Sequence, residues 1–455
     1  MTRRAVYFGS MQAIRGPLGV AALAVVLLVP GREAARPLVL HGPDRQTKEL
    51  VGLVFADDGA RLSQLDESTL EPFGPRSARI GFAGTWALER PDGHLAAIAT
   101  TLFANDSKQV VRFVNLSSRR LVRRTIQLDG YAWALLWARP DRLVAVVAST
   151  CCDGRAAVET FDTGSRKLVS RRELDGDIGT LARSPDGLVV LETPSNAIGL
   201  SRLDVIAADG SMRSVALDRV VAGATWPQDG SGDPLGTQRE AALAVDPDRY
   251  RAYVVQPDGP AAEIALRTLA VSYHDLSAPR SLLRRFSAWF TPAAAAKGMN
   301  GPRRTAAWLG DGLLAVTGSD EHSVRKNDSS IEMGYDPAGL AILDTRDWSI
   351  QRLDPGADTV TVADGVLLAT GRRLAPGQDT PTGMGLAAYG ADRSLRFRLF
   401  QGASSWVVRT LGGRAYVENG IGQESIAVVD LGSGAVLQQR PGPLAAPLLD
   451  DAPVG

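Results

Sequence analysis

Cysteine, histidine and lysine are all scarce in this chain, and no sign of charge dominates it. Among 455 residues there are two cysteines and four histidines, and 50 basic residues balance 50 acidic ones. A zero net charge sets up no global field toward nucleic acid or an anionic membrane, so neither is expected as a partner of the body of the chain. His41, His94, His274 and His322 are scattered, with no H-E-x-x-H spacing, and no acidic loop has the alternating ligands of a calcium-binding hand. No metal and no cofactor is therefore expected. A G-x-S-x-G elbow is missing, and Thr382-Gly383-Met384-Gly385-Leu386 lacks the lysine of a phosphate-binding loop, so it reads as a close backbone approach entering a strand. No catalytic residue is assigned. Lysine occurs five times, so 45 of the basic residues are arginine, a compositional bias without chemical meaning of its own.

Long apolar runs are missing too. The longest, Leu18 to Val29, has 12 residues and follows Arg3-Arg4, with Pro30-Gly31 and Ala34-Ala35 behind it. A spanning helix needs roughly 20 apolar residues. Residues 1–36 thus read as an export signal or, uncleaved, as an N-terminal anchor through residues 18–29, and the chain is expected outside the cell or in its envelope.

What the chain has in abundance is turn chemistry, with 47 glycines and 26 prolines. Ala132 to Gly176 shows the pattern most cleanly: four short apolar runs separated by turns, the linear form of one four-stranded antiparallel sheet. Two markers recur. The first, Pro-Asp-Gly or a relative, sits at 91–93, 140–142, 185–187, 247–249, 310–312 and 363–365 between two apolar runs, where proline presets φ and glycine accepts the left-handed region. The second is a polar turn such as Phe161-Asp162-Thr163-Gly164 or Val429-Asp430-Leu431-Gly432, placed between the third and fourth runs. Their alternation predicts an all-β single propeller over 37–455, with four-stranded blades. Eight units begin near Glu49, Gly84, Ala132, Asp177, Glu240, Arg304, Thr359 and Ser405, or seven if the weak first unit only completes the last. Leu444 to Leu449 is expected to pair beside the first unit and close the ring.

On these repeated turns and strands, about residues 45–441 resemble secreted bacterial propellers of the YVTN/WD40-like kind, with degenerate tetrapeptides at Ala252-Tyr253-Val254-Val255 and Ala415-Tyr416-Val417-Glu418. No strand ends in Trp-Asp. The resemblance implies fold much more than function, since such propellers include both binding scaffolds and sugar-lactone hydrolases.

Two insertions stand out. Residues 276–304 carry Leu282, Leu283, Phe286, Trp289 and Phe290 at helical spacing with Arg280, Arg284 and Arg285, predicting a short amphipathic helix near 280–290 that caps the propeller or touches a membrane or partner. Residues 319–335 are polar and read as a solvated loop. If both emerge on one side, Trp289, Arg284, Arg285, Arg303 and His322 form the expected ligand-binding face. Cys151-Cys152 is read as a vicinal disulfide or as two thiols. Trp86, Trp133, Trp308 and Trp406 fall on leading strands, either as packing between blades or as a stacking ring at the channel mouth. The function expected is non-enzymatic binding of a protein, glycan or small molecule by a monomer; the alternative is a hydrolase or lyase acting on a sugar or lactone.

Overall fold

Consecutive buried residues along each middle strand explain why these sheets stack side by side. In the strand Gly187–Thr193 every residue is buried, with Val189 and Leu191 packing toward the following unit and Leu188 and Val190 toward the preceding one. A strand covered on both faces has no use for polar alternation. The computed structural model describes Leu38, 50–56, 59–81, 84–90, 92, 94–101, 108–148, 156–225, 236–276, 299–325, 331–363, 365–375, 378, 380–420, 425–441 and 445–447. These residues are all-β, and no helix among them is long and apolar enough to cross a membrane.

Each repeat unit is an antiparallel run of four strands in chain order. The leading strands of units two to eight are Gly84–Glu89, Tyr131–Arg139, Asp177–Ser184, Ala242–Asp246, Met299–Gly310, Thr359–Ala363 and Ser405–Leu411. Unit one receives its leading strand from the far end of the described chain: Ala445–Pro447 pairs antiparallel with Leu50–Ala56, Gly52 opposite Pro447 and Val54 opposite Ala445. Apolar seams join each unit to the next, and the last, built from Leu50, Leu65, Leu70, Tyr416, Ile426 and Val428, joins unit eight to unit one. Leading strands of neighbouring units touch one another, so they are the innermost strands around the axis.

Among the described residues the hydrogen-bonded sheets number seven, not one for each of the eight units, because units four and six share a single ten-stranded sheet. The link lies beyond the blades proper. The fourth strand of unit four, Met212–Thr225, runs past its blade and pairs with Gly236–Arg239, which pairs parallel with the start of Met299–Gly310 in unit six, Gly236 opposite Met299. The second strand of unit six, Leu313–Arg325, then continues into a hairpin with Ile331–Pro337, and Tyr335 bridges to Leu374 of unit seven. This band of strands spans unit five without joining its sheet.

The band corrects the reading of 319–335. Ser319 to Arg325 and Ile331 to Tyr335 are strand, extending the unit-six ladder where a solvated loop was expected. Most of 276–304, with the expected helix near 280–290, lies outside the described residues, and its last six residues are strand. Residues 1–36, read above as an export signal or anchor, and the pair Cys151-Cys152 also lie outside them.

Candidate functional site

Antiparallel order fixes which strand ends share a face. A leading strand begins where the second strand of its unit ends, as Gly301 opposite Glu321 shows, while the Pro-Asp-Gly hairpins sit at the other end. The strand ends that flank both insertions, at Met299 and at Arg325 and Ile331, therefore open on one face.

Arg303 and His322 are on that face, and neither touches the other. Arg303 is half-exposed; its Nε lies 2.8 Å from Glu240 Oε2 and its Nη1 3.3 Å from Glu321 Oε1. Partial burial pulls its guanidinium down, and the two glutamates more than offset this, holding it above the ordinary arginine value. Arg304 pairs with Asp320 at 2.8 Å. Asp320 stands directly opposite Asp336 on the neighbouring strand, a repulsive register that Arg304 and Arg373 relieve, the latter at 2.6 Å from Asp336. His322 Nδ1 is 4.0 Å from Asp336 Oδ2. Trp289, Arg284 and Arg285 lie outside the described residues, so of the expected ligand-binding set the structure places two members.

Residues not singled out in the sequence complete the arrangement. The Arg372 guanidinium lies 5.1 Å over the Tyr335 ring, and its Nε is 4.0 Å from Asp358 Oδ2. Asp358 accepts hydrogen bonds from the Arg372 N–H at 3.1 Å and the Thr359 hydroxyl at 2.9 Å. Burial nonetheless raises its carboxyl above the usual range, outweighing those hydrogen bonds and the Arg372 charge. Burial raises the Tyr335 phenol as well. The sequence did carry one signal for Arg372 and Arg373: the buried run Val366 to Gly371 ends abruptly in two adjacent arginines.

The four leading-strand tryptophans divide. Trp308 stacks on Tyr253 across the seam between units five and six, with ring centroids 5.7 Å apart and planes 8° from parallel, which is packing. Trp133 and Trp406 instead leave 60% and 38% of their surface in solvent near the starts of innermost strands. Trp86 is placed on its leading strand and no more is described of it. Thr382-Gly383-Met384-Gly385 is the close approach expected: a Cβ on Gly383 would lie 1.7 Å from the Ala403 carbonyl oxygen. Among the described residues, no three histidine, cysteine or acidic side chains come together as a metal set.

No family model and no curated protein matches the chain. Solved propellers do. The dihydro-heme d1 dehydrogenase NirN, in complex with DHE, is similar over 91% of this chain and 78% of that one at 13% identity, with a TM-score of 0.54. The propeller domain of the Trilobed protease from Pyrococcus furiosus matches 78% of this chain and 95% of its own at 13% identity, TM-score 0.38. A putative 6-phosphogluconolactonase from Bacteroides uniformis ATCC 8492 matches 89% and 98% at 12% identity, TM-score 0.41. At such identities the likeness is one of fold.

Proposed function

We propose that the chain is an exported, non-enzymatic binding propeller of the YVTN/WD40-like repeat kind, which holds a small molecule, glycan or protein on the face where its leading strands begin. The observation that carries this reading is the state of the ionisable groups on that face: Arg303 is shared by two glutamates, Arg304 is matched to Asp320 and Arg373 to Asp336. Groups neutralised in pairs hold a surface in shape and offer directional contacts, whereas acid–base catalysis needs a group kept free for the proton. Export, with residues 18–29 as the leader or anchor, is supported by Arg3-Arg4 and the apolar run alone.

A second reading, hydrolysis or elimination on a sugar or lactone, is favoured by Asp358, whose partly buried carboxyl is shifted above the usual range by desolvation beside Tyr335 and Arg372. One experiment separates the two. The full chain is screened by thermal shift against a library of small acids, sugars and lactones, and each mixture is then analysed by mass spectrometry. Binding predicts a raised melting temperature for some member, lost in Arg303→Glu, with every compound recovered unchanged. Consumption of a lactone or sugar, abolished in Asp358→Asn, would replace binding with catalysis.

A further inference from the structure

Charge is balanced over the whole chain but not along its outer wall, which the fourth strands form. Residues 72–81 and 108–128 carry Arg76, Arg79, Lys108, Arg112, Arg119, Arg120, Arg123 and Arg124, and no acidic residue. The first stretch runs along the outer side of Gly59–Leu65 in unit one, and the second holds the two outermost strands of unit two, Val110–Asn115 and Ile126–Gln127. They meet at the seam between these units, where Ile80 shares an apolar cluster with Val114, Leu116 and Leu121. There Arg112 Nη1 donates to the Arg79 carbonyl at 3.1 Å. Burial, and then the Arg79 charge, pull the Arg112 guanidinium below the ordinary arginine value, so like charges crowd at this seam.

Both outermost segments leave the ladder in the same way. In unit one Phe73 is opposite Gln64 and Ser77 bonds to Leu62, so Gly74, Pro75 and Arg76 stand against Ser63 alone. In unit two Val122 bonds to Phe113 and Ile126 is opposite Val111, so Arg123, Arg124 and Thr125 stand against Arg112 alone. Each excursion is an enlarged bulge at a sheet edge, and all six of its residues in the two units are exposed. Arg76, Arg120, Arg123 and Arg124 join no ion pair among the described residues. The described carboxylates that border the two stretches are already engaged: Glu67 by Arg414, Glu71 by Arg440, and Asp129 by Lys108 and Arg171. Attraction to a charged surface adds up over a Debye length, about 8 Å, and does not require the guanidinium groups to converge on one point.

A polyanion is the partner such a wall attracts, and Phe73 selects among polyanions. Its ring is 48% exposed, and an exposed Pro75 follows it on the excursion that ends in Arg76. An apolar ring for the acyl boundary beside a cation for phosphate suits a bilayer surface, whereas a soluble polyanion presents charge without an apolar layer. We propose that the outer wall of units one and two binds an anionic lipid surface, with Phe73 and Pro75 entering the headgroup region and Arg76, Arg120, Arg123 and Arg124 lying against lipid phosphates. This goes beyond the binding reading above and involves none of the groups invoked there.

The test sediments the full chain with vesicles of phosphatidylcholine alone or with roughly a third phosphatidylglycerol. Partition onto the anionic vesicles should be at least tenfold higher, and should fall at least tenfold between about 0.1 M and about 0.5 M salt. Arg123→Glu/Arg124→Glu should erase most of the preference, and Arg123→Lys/Arg124→Lys should keep it. Phe73→Ala should lower partition several-fold and leave the salt dependence as it is. Arg352→Glu/Arg396→Glu changes the net charge equally on exposed outer strands of units six and seven, and should leave partition within a few-fold. Circular dichroism of each variant guards against unfolding. Equal partition onto both vesicles, or a preference that survives Arg123→Glu/Arg124→Glu, would overturn the assignment. Polyphosphate bound as tightly per phosphate as the anionic vesicles, with no loss in Phe73→Ala, would identify a soluble polyanion and overturn it as well.

Discussion

Arg202 is asked to satisfy three carboxylates at once. It reaches Glu192 at 2.7 Å, Asp204 at 3.0 Å and Asp175 at 2.8 Å, and both Glu192 and Asp204 are buried. Burial, then the Asp204 carboxylate that shares a hydrogen bond with it, pushes the Glu192 carboxyl up to about 7. The folded state thus keeps a proton that the unfolded chain releases near its ordinary value of 4.5. Glu192 contributes stability that is fully present below pH 4.5 and is lost as pH rises through about 7. Glu192→Gln should remove this contribution, on the order of 1–3 kcal/mol, and flatten the fall in urea-unfolding stability between pH 5 and pH 8. An unchanged slope would place the proton elsewhere. Asp162 behaves in the opposite sense: its oxygen accepts the backbone N–H and hydroxyl of Ser165, which draws its carboxyl down to about 2. That turn was readable in sequence because both partners lie within three residues. The Glu192 environment was not, since Asp204 and Asp175 approach it from a different strand and a different unit.

The turn between third and fourth strands is also the element whose conformation repeats best. Four residues after its leading Asp or Asn, the chain enters the left-handed region at Leu70, Arg119, Arg166 and Trp348, with φ between 56° and 60°. Unit eight alone among these uses glycine there, Gly434 at φ 73°, and a Cβ on it would lie 2.6 Å from the Phe397 ring of unit seven. Left-handed backbone is thus tolerated by other side chains, and the neighbour makes this glycine necessary. Gly434→Ala should cost about 1–3 kcal/mol, from strain plus displacement of Phe397, read as a lower denaturation midpoint with unchanged m-value. A stabilised variant would show that the Phe397 side chain yields freely. The band of strands across unit five was not legible. Residues 319–335 lack the apolar alternation of a half-buried strand; Ser319–Arg325 become strand because Met299–Gly310 offers them backbone partners, and Ile331–Tyr335 because Ser319–Arg325 do.

At the scale of the molecule, closure is the decisive contact. Three residues, Ala445 to Pro447, complete unit one and cover the edge of Leu50–Ala56. Ending the chain after Gly442 should leave that strand edge bare, lower the melting temperature by several degrees and promote association, seen by light scattering. A monomer of unchanged stability would mean that the seam between units eight and one holds the ring without the strand.

The sequence by itself determined the four-stranded unit, the order of the units, the turns and the closing strand. All of these follow from residues a few positions apart, or from a bare edge that needs a partner. Tertiary structure decided what lies between units: that units four and six share a sheet, that Trp308 is packed while Trp406 is open, and that Arg303 answers to Glu240 and Glu321. Such contacts join residues tens of positions apart, and their geometry depends on blade packing, which no local pattern encodes.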